Sequence, residues 1–175
     1  MVASKMGKVV RFKNSEVRDM GRTATGVRAI TLAGEKDEVI GMIIMPMENP
    51  PQVLVVSEKG YGKRSDVESY RQTRRGAKGV KTINVTEKTG QLIALKAVTD
   101  ENDLMIISTA GIMIRLRVAD LRVMGRATQG VRLISLGETD AIGAVTTVET
   151  DPEEEAVAID GTVDTSMGDA ADEPE

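Results

Sequence analysis

Cysteine and histidine are both missing from this 175-residue chain. Without cysteine there is no disulfide and no thiolate metal site. Without histidine the commonest general base, the usual zinc ligand and the Ser-His-Asp arrangement are excluded together. An enzyme built from the remaining residues would rest on carboxylates or hydroxyls, and no convergent pair of acids stands out. Tryptophan is absent too, and the aromatics come down to Phe12, Tyr61 and Tyr70. No apolar run approaches the roughly 20 residues of a membrane span, and nothing has the form of a signal peptide. These absences set the expectation of a cytoplasmic protein with no membrane partner and no catalytic or metal-binding residue of its own.

The net charge of -4 conceals a segregation. From Glu149 to Glu175 there are eleven acids and no Lys or Arg, so the first 148 residues hold 16 acids against all 23 bases, a net +7. A basic body beside an acidic tail points toward a nucleic-acid partner. The plainer alternative is a solubilising tail on an ordinary surface. The tail is acidic, free of aromatics and dotted with Gly and Pro, a composition that predicts disorder.

What is present is a repeat. "MGRTATGVRAITL" from Met20 and "MGRATQGVRLISL" from Met124 agree at eight of thirteen positions, and a third version, "TRRGAKGVKTINV" from Thr73, lies between them. Gly26, Gly79 and Gly130 are equivalent. Upstream, "SKMGKVVR", "SEKGYGKR" and "STAGIMIR" share S-x-x-G-x-x-x-R at the same spacing, aligning Gly7, Gly60 and Gly111, and Arg11, Arg64 and Arg115. Two anchors in register across three copies define the period.

Each unit reads as β-structure. "DLMIIS" is a short buried-strand run. "IMIRLRV" alternates, with Ile112, Ile114, Leu116 and Val118 on one face and Met113, Arg115 and Arg117 on the other. "GVRLISL" and "AIGAVTTV" supply two more strands. The S-x-x-G glycine fits a hairpin turn. "SEVRDMG" and "VADLRVMG" allow a single helical turn at most. Four short strands per ~50 residues is the composition of a propeller blade. The chain is therefore expected to be all-β: three propeller-like, four-stranded blades at 1–48, 49–100 and 101–148, forming a partial ring, then a disordered acidic tail at 149–175. The first unit looks N-terminally truncated, which suggests a piece of a longer protein.

The stretch leading into each G-V-[RK] is polar, glycine-rich and basic. It carries Arg18, Arg22 and Arg28 in the first unit, then Arg71, Arg74, Arg75, Lys78 and Lys81, then Arg122, Arg126 and Arg132. Arg22, Arg75 and Arg126 are equivalent, as are Arg28, Lys81 and Arg132. Rotation about a propeller axis would set such positions around the rim as a basic series facing phosphates. Arg74, Arg75 and Lys78 form the densest cluster. Solvated arginines on turn glycines are the alternative; recurrence in register and the +7 excess favour DNA. "GRTATGVR" superficially resembles a P-loop, but Val27 and Arg28 stand where Lys and Ser/Thr are required. So few aromatics argue against base stacking and for duplex DNA held by its backbone.

The wording of "GKVVRF…VRDMGRTATGVRAI", "GYGKR…YRQTRRGAKGVKTINVTEKTG" and "IISTAGIMIRLRV…VMGRATQGVRLI" resembles the C-terminal domain of DNA gyrase A over about residues 1 to 148, in its last three blades. The resemblance implies a β-pinwheel whose blades exchange strands with their neighbours. It implies duplex DNA wrapped around the basic rim, in support of ATP-dependent negative supercoiling. The implied partners are DNA, the remainder of gyrase A, and gyrase B, together in a heterotetramer. The family's catalytic tyrosine and its ATP and magnesium sites lie in other regions, so no cofactor is expected in this chain. One departure is visible: the family's Gln-Arg-Arg-Gly-Gly-Lys-Gly box belongs to the first blade, and "RRGAKG" (Arg74 to Gly79) is only a degenerate version of it. Two alternatives stay open: the related C-terminal domain of topoisomerase IV, and a protein-interaction propeller.

Overall fold

A computed structural model describes residues 1–149; the acidic tail beyond Glu149 lies outside the described residues. Eleven strands follow one another among the described residues: β1 (Val2–Ser4), β2 (Lys8–Val10), β3 (Val39–Met42), β4 (Gln52–Ser57), β5 (Tyr61–Ser65), β6 (Val80–Lys81), β7 (Leu92–Val98), β8 (Asn102–Ser108), β9 (Met113–Arg117), β10 (Val131–Arg132) and β11 (Ile142–Glu149). They form three antiparallel sheets, ordered β3-β1-β2-β6, β10-β5-β4-β7 and β11-β8-β9. The helical content is three single 3₁₀ turns, Asn14–Glu16, Val67–Ser69 and Val118–Asp120. Two of them fall in the segments where the sequence allows one turn.

The apolar run of β4 is explained by its place. Successive side chains of a strand point to opposite faces, and both faces of the middle sheet are covered. Val53 and Val55 enter one core with Met1, Val9, Tyr70, Ile83 and Leu95. Leu54 and Val56 enter a second with Val98, Leu104, Ile106, Val118 and Ile142. Each core therefore joins two repeats. Each fully buried Val or Leu contributes about 1.5–3 kcal/mol, so this packing is what holds sheet to sheet. β9, with one covered side, alternates as its sequence does, Ile114 and Leu116 being the more buried positions. Ile112, expected on that apolar face, is half exposed because it lies in the turn ahead of the strand.

The G-V-[RK] strand does not join the sheet of its own repeat. β6, from the second repeat, pairs with β2 of the first (Lys8 opposite Lys81, Val9 opposite Val80). β10, from the third, pairs with β5 of the second (Val131 opposite Gly62, Arg132 opposite Tyr61). The same bonds extend both junctions: Thr82 N–H donates to Gly7 O at 2.9 Å and Leu133 N–H to Gly60 O at 2.8 Å, while Thr73 and Met124 N–H donate to Arg11 and Arg64 O, each at 2.8 Å. The first two sheets thus reach four strands by borrowing one. The third has three among the described residues, and Gly26–Ile30 forms no strand.

Glycine is required where the borrowed strand enters. Gly79 and Gly130 have φ of +76° and +84°, and a Cβ there would lie 2.7 Å from Val9 O and 2.5 Å from Gly62 O. These are equivalent carbonyls of the accepting strands.

In the first two repeats the S-x-x-G-x-x-x-R arginine is a second tie between repeats. Arg11 Nη1 donates to the carbonyls of Val67 and Tyr70, at 2.9 and 3.2 Å, across the 3₁₀ turn of the next repeat. Arg64 does the same one repeat on: Nε donates to Leu121 O, Nη2 to Ala119 O at 3.3 Å, and Nη1 pairs with Asp100. Capping a turn's carbonyls with a guanidinium satisfies acceptors that the short turn leaves open.

Candidate nucleic-acid interface

All three basic loops make one turn. Ala24 N–H donates to Gly21 O, Ala77 to Arg74 O and Thr128 to Gly125 O, at 3.1, 3.3 and 3.2 Å. The turn is local, and an arginine holds its second position each time: Arg22, Arg75 and Arg126. It presents the loop side chains outward: Arg18, Arg22, Arg28, Arg71, Arg74, Lys78, Lys81, Arg122 and Arg132 are exposed. None of these nine is ion-paired with a carboxylate among the described residues. A surface of uncompensated cations repeated at one register attracts a polyanion.

The remaining two candidates behave differently. Arg75 and Arg126 are half-buried. Arg75 Nη1 donates to Arg28 O at 2.8 Å, its Nε to Glu16 O at 3.2 Å, and its backbone N–H to the Glu16 carboxylate at 2.8 Å. Arg126 Nη1 donates to Lys81 O at 2.8 Å. The structure thus separates Arg75 from Arg74 and Lys78, its neighbours in the dense cluster.

The first two loops are also tied directly. Gly76 N–H donates to Ala29 O at 2.8 Å, Thr31 N–H to Ala77 O at 3.0 Å, and the Thr31 hydroxyl to Gly76 O at 2.6 Å. Basic residues of consecutive repeats are thereby brought side by side.

Residues not singled out in the sequence support the loops. Lys63, on β5, is fully buried. Its Nζ donates to the carbonyls of Gly125, Arg126 and Thr128 at 2.7, 2.5 and 2.9 Å and contacts Thr128 Oγ1 at 3.1 Å, so an ammonium sits beneath the third loop. Burial, with the nearby Arg126 charge, lowers its pKa to about 8. Val10 and Ile114 hold this register in the other repeats, so a charge at an otherwise apolar strand position was the available signal.

Asp37 and Asp140 lock the S-x-x-G hairpins. Asp37 Oδ1 and Oδ2 accept the N–H groups of Met6 and Ala33, both at 2.9 Å. Asp140 Oδ1 accepts that of Ala110 at 3.0 Å and the Thr109 hydroxyl at 2.7 Å. Burial alone would raise the Asp37 pKa; the donors at Ala33 and Met6 outweigh it and hold the carboxyl below its ordinary value. The Thr109 hydroxyl leads the donors that lower the pKa of Asp140.

At the junction of the second and third repeats, Arg132 donates to the Tyr61 hydroxyl at 3.2 Å, and its guanidinium and the Lys88 ammonium lie 5.7 and 5.5 Å from the ring centre. They line a cleft of about 280 Å³ with Lys59 and Glu138. Tyr61 is consequently a support for cations, not an exposed stacking platform. Among the described residues no group of acids is arranged to hold a metal ion, and no helix is long and apolar enough to cross a membrane.

The chain matches the family described as DNA gyrase C-terminal domain, beta-propeller, over residues 1–44, 51–99 and 102–149. It is 46% identical over 155 residues to the DNA gyrase A protein of Staphylococcus aureus (strain MRSA252), an alignment that covers 89% of this chain and 17% of that protein. The chain thus spans about a sixth of that relative's length. Among solved structures, a DNA gyrase A C-terminal domain superposes with a TM-score of 0.73 at 26% identity, over 83% of this chain and 49% of that one. The C-terminal domain of a DNA topoisomerase IV superposes with a TM-score of 0.77 over 90% of this chain and 49% of that one, but at 20% identity it is a likeness of fold alone. The three matched segments each carry one of the repeats, and on this match and the S. aureus identity the chain belongs to the DNA gyrase C-terminal domain family of β-propeller, or β-pinwheel, modules.

Proposed function

We propose that this chain is a duplex-DNA-binding and wrapping module of a bacterial type II topoisomerase of the gyrase kind. It would act in the cytoplasm within a larger assembly that includes the remainder of gyrase A together with gyrase B. One observation carries the reading: a single turn, recurring once per repeat, presents exposed arginines and lysines with no carboxylate partner among the described residues. Such a series can follow a phosphate backbone without reading bases, and around a propeller-like set of sheets it favours bent DNA. The chain itself carries no part of the strand-breaking or ATP chemistry in this reading; it holds the segment to be passed. The 46% identity to a gyrase A protein supports gyrase over topoisomerase IV, whose likeness is one of fold.

The test is duplex binding as a function of salt. Each phosphate contact contributes roughly 0.9 to the log–log slope. The double variant Arg74→Ala/Lys78→Ala is expected to lower the slope by about 1.8. An unchanged slope removes these two from the interface. No binding of linear duplex at low salt would instead favour a protein-interaction propeller.

A further inference from the structure

Of the eleven loop cations, the two that are half-buried are equivalent by register, and each bonds to the equivalent residue one repeat earlier. Arg75 Nη1 reaches Arg28 O and Arg126 Nη1 reaches Lys81 O, both at 2.8 Å. Arg28 and Lys81 are matched residues of the G-V-[RK] element, and their own side chains are exposed. Arg22, at the same register in the first repeat, is exposed. An identical bond at two junctions, each from a loop arginine back to the preceding repeat, is a feature of the repeat and not of one loop. We propose that Arg75 and Arg126 are positioning residues. Each ties its basic loop to the basic residue one repeat back and so sets the spacing of successive cation groups along the DNA path. The inference rests on the duplex-binding reading above and divides its labour: Arg74, Lys78 and the side chains of Arg28 and Lys81 meet phosphates, and the tied arginines keep them in step.

The chemistry favours arginine for this task. A planar guanidinium has five donors in a fixed fork, so Arg75 can hold Glu16 O through Nε while Nη1 holds Arg28 O. A lysine at the same place keeps the charge but gathers its three donors on one flexible nitrogen, without the fixed fork. Charge and geometry can therefore be separated by experiment.

The full 175-residue chain and its Arg75→Lys/Arg126→Lys variant are compared on a short duplex labelled at both ends, with affinity read against salt and bending read by energy transfer between the ends. Because charge is retained, the salt slope should stay within about 0.5 of the parent. Bending should fall by more than about half. Lys36→Arg, a charge-keeping change at an exposed residue outside the three basic loops, should leave both unchanged. Arg126→Lys alone, which touches one surface hydrogen bond, repeats the test should the double variant unfold. A double variant that bends DNA as the parent does overturns the inference, as does a parent that binds without bending. A parent that shows no salt-dependent duplex binding removes the underlying reading, and the inference goes with it.

Discussion

Alanine at Gly26, Gly79 and Gly130 is one chemical change at one repeat register in different surroundings. All three glycines have positive φ, at +86°, +76° and +84°. Each alanine therefore incurs about 1–2 kcal/mol of left-handed strain, partly offset by about 0.4–1 kcal/mol from the stiffer unfolded chain. At Gly26 nothing lies within 4 Å of the added carbon. Its expected cost is thus only about 0–1.6 kcal/mol. At Gly79 and Gly130 the carbon would meet Val9 O at 2.7 Å and Gly62 O at 2.5 Å. A sheet carbonyl cannot swing aside as a side chain can, so relief requires withdrawal of β6 or β10. Overpacking of this kind adds about 1–3 kcal/mol, for a total of about 1–4.6. Urea titrations followed by circular dichroism measure the three costs. Amide exchange at Thr82 and Leu133, whose N–H groups complete the two junctions, should rise in the corresponding variants. A Gly26→Ala cost equal to that of Gly130→Ala would refute the assignment of these glycines to strand insertion.

Arg64→Met removes the donors to the Leu121 and Ala119 carbonyls; a loss of about 2–3 kcal/mol in urea titrations is expected, with no change in the DNA salt slope, and a slope reduced by about 0.9 would place Arg64 among the phosphate contacts instead. Lys63 has a folded pKa of about 8, below the ordinary 10.5, so between these values the unfolded chain binds more protons and global stability should rise with pH. Over the same window the neutral amine loses a donor to the third loop, so amide exchange at Gly125–Thr128 should quicken beyond its intrinsic increase. Lys63→Met should abolish both trends, and their persistence would exclude Lys63 as their source. Asp37, with its pKa depressed, stabilises the fold fully above the ordinary value of 3.8, a contribution lost as pH falls through the lower folded value. Asp37→Asn leaves one of two N–H groups facing an amide, costs about 1–3 kcal/mol at neutral pH, and should flatten the acid limb of the stability curve; an acid limb parallel to the parent's would show that Asp37 does not shape it.

The period, the strands and the hairpin glycines are legible in the chain because they are local. Alternation in β9 and a positive φ at Gly60 need only neighbouring residues to specify them. Strand exchange is not local. Val80–Lys81 has the same two-residue pattern whichever sheet it joins, and it is long-range contacts, Gly79 packed on Val9 O and Thr82 N–H bonded to Gly7 O, that tie it to the neighbouring one. The resemblance implied exchange; the residues alone did not. Asp37 and Asp140 escaped because the loops before them differ in length by one residue, so the repeat register does not align them. Lys63 was open to detection, being charged where Val10 and Ile114 stand in the other repeats, but a count of loop cations passes over a strand.

Register by itself also fails to sort the arginines. Arg11 and Arg64 recur with the blade period, and so do Arg75 and Arg126, yet all four bond to carbonyls of a neighbouring repeat. A tie between repeats must recur for the same geometric reason that a phosphate contact must, because both are made once per blade. What separates them is whether a backbone acceptor already holds the guanidinium. That distinction bounds the binding electrostatics. Nine loop cations are exposed and free of carboxylates among the described residues, against eleven in the sequence series. At roughly 0.9 per phosphate, the salt slope for one chain on duplex DNA should not exceed about 8. Simultaneous use of all eleven would bring it to about 10, a value that would return Arg75 and Arg126 to the phosphate-contacting set.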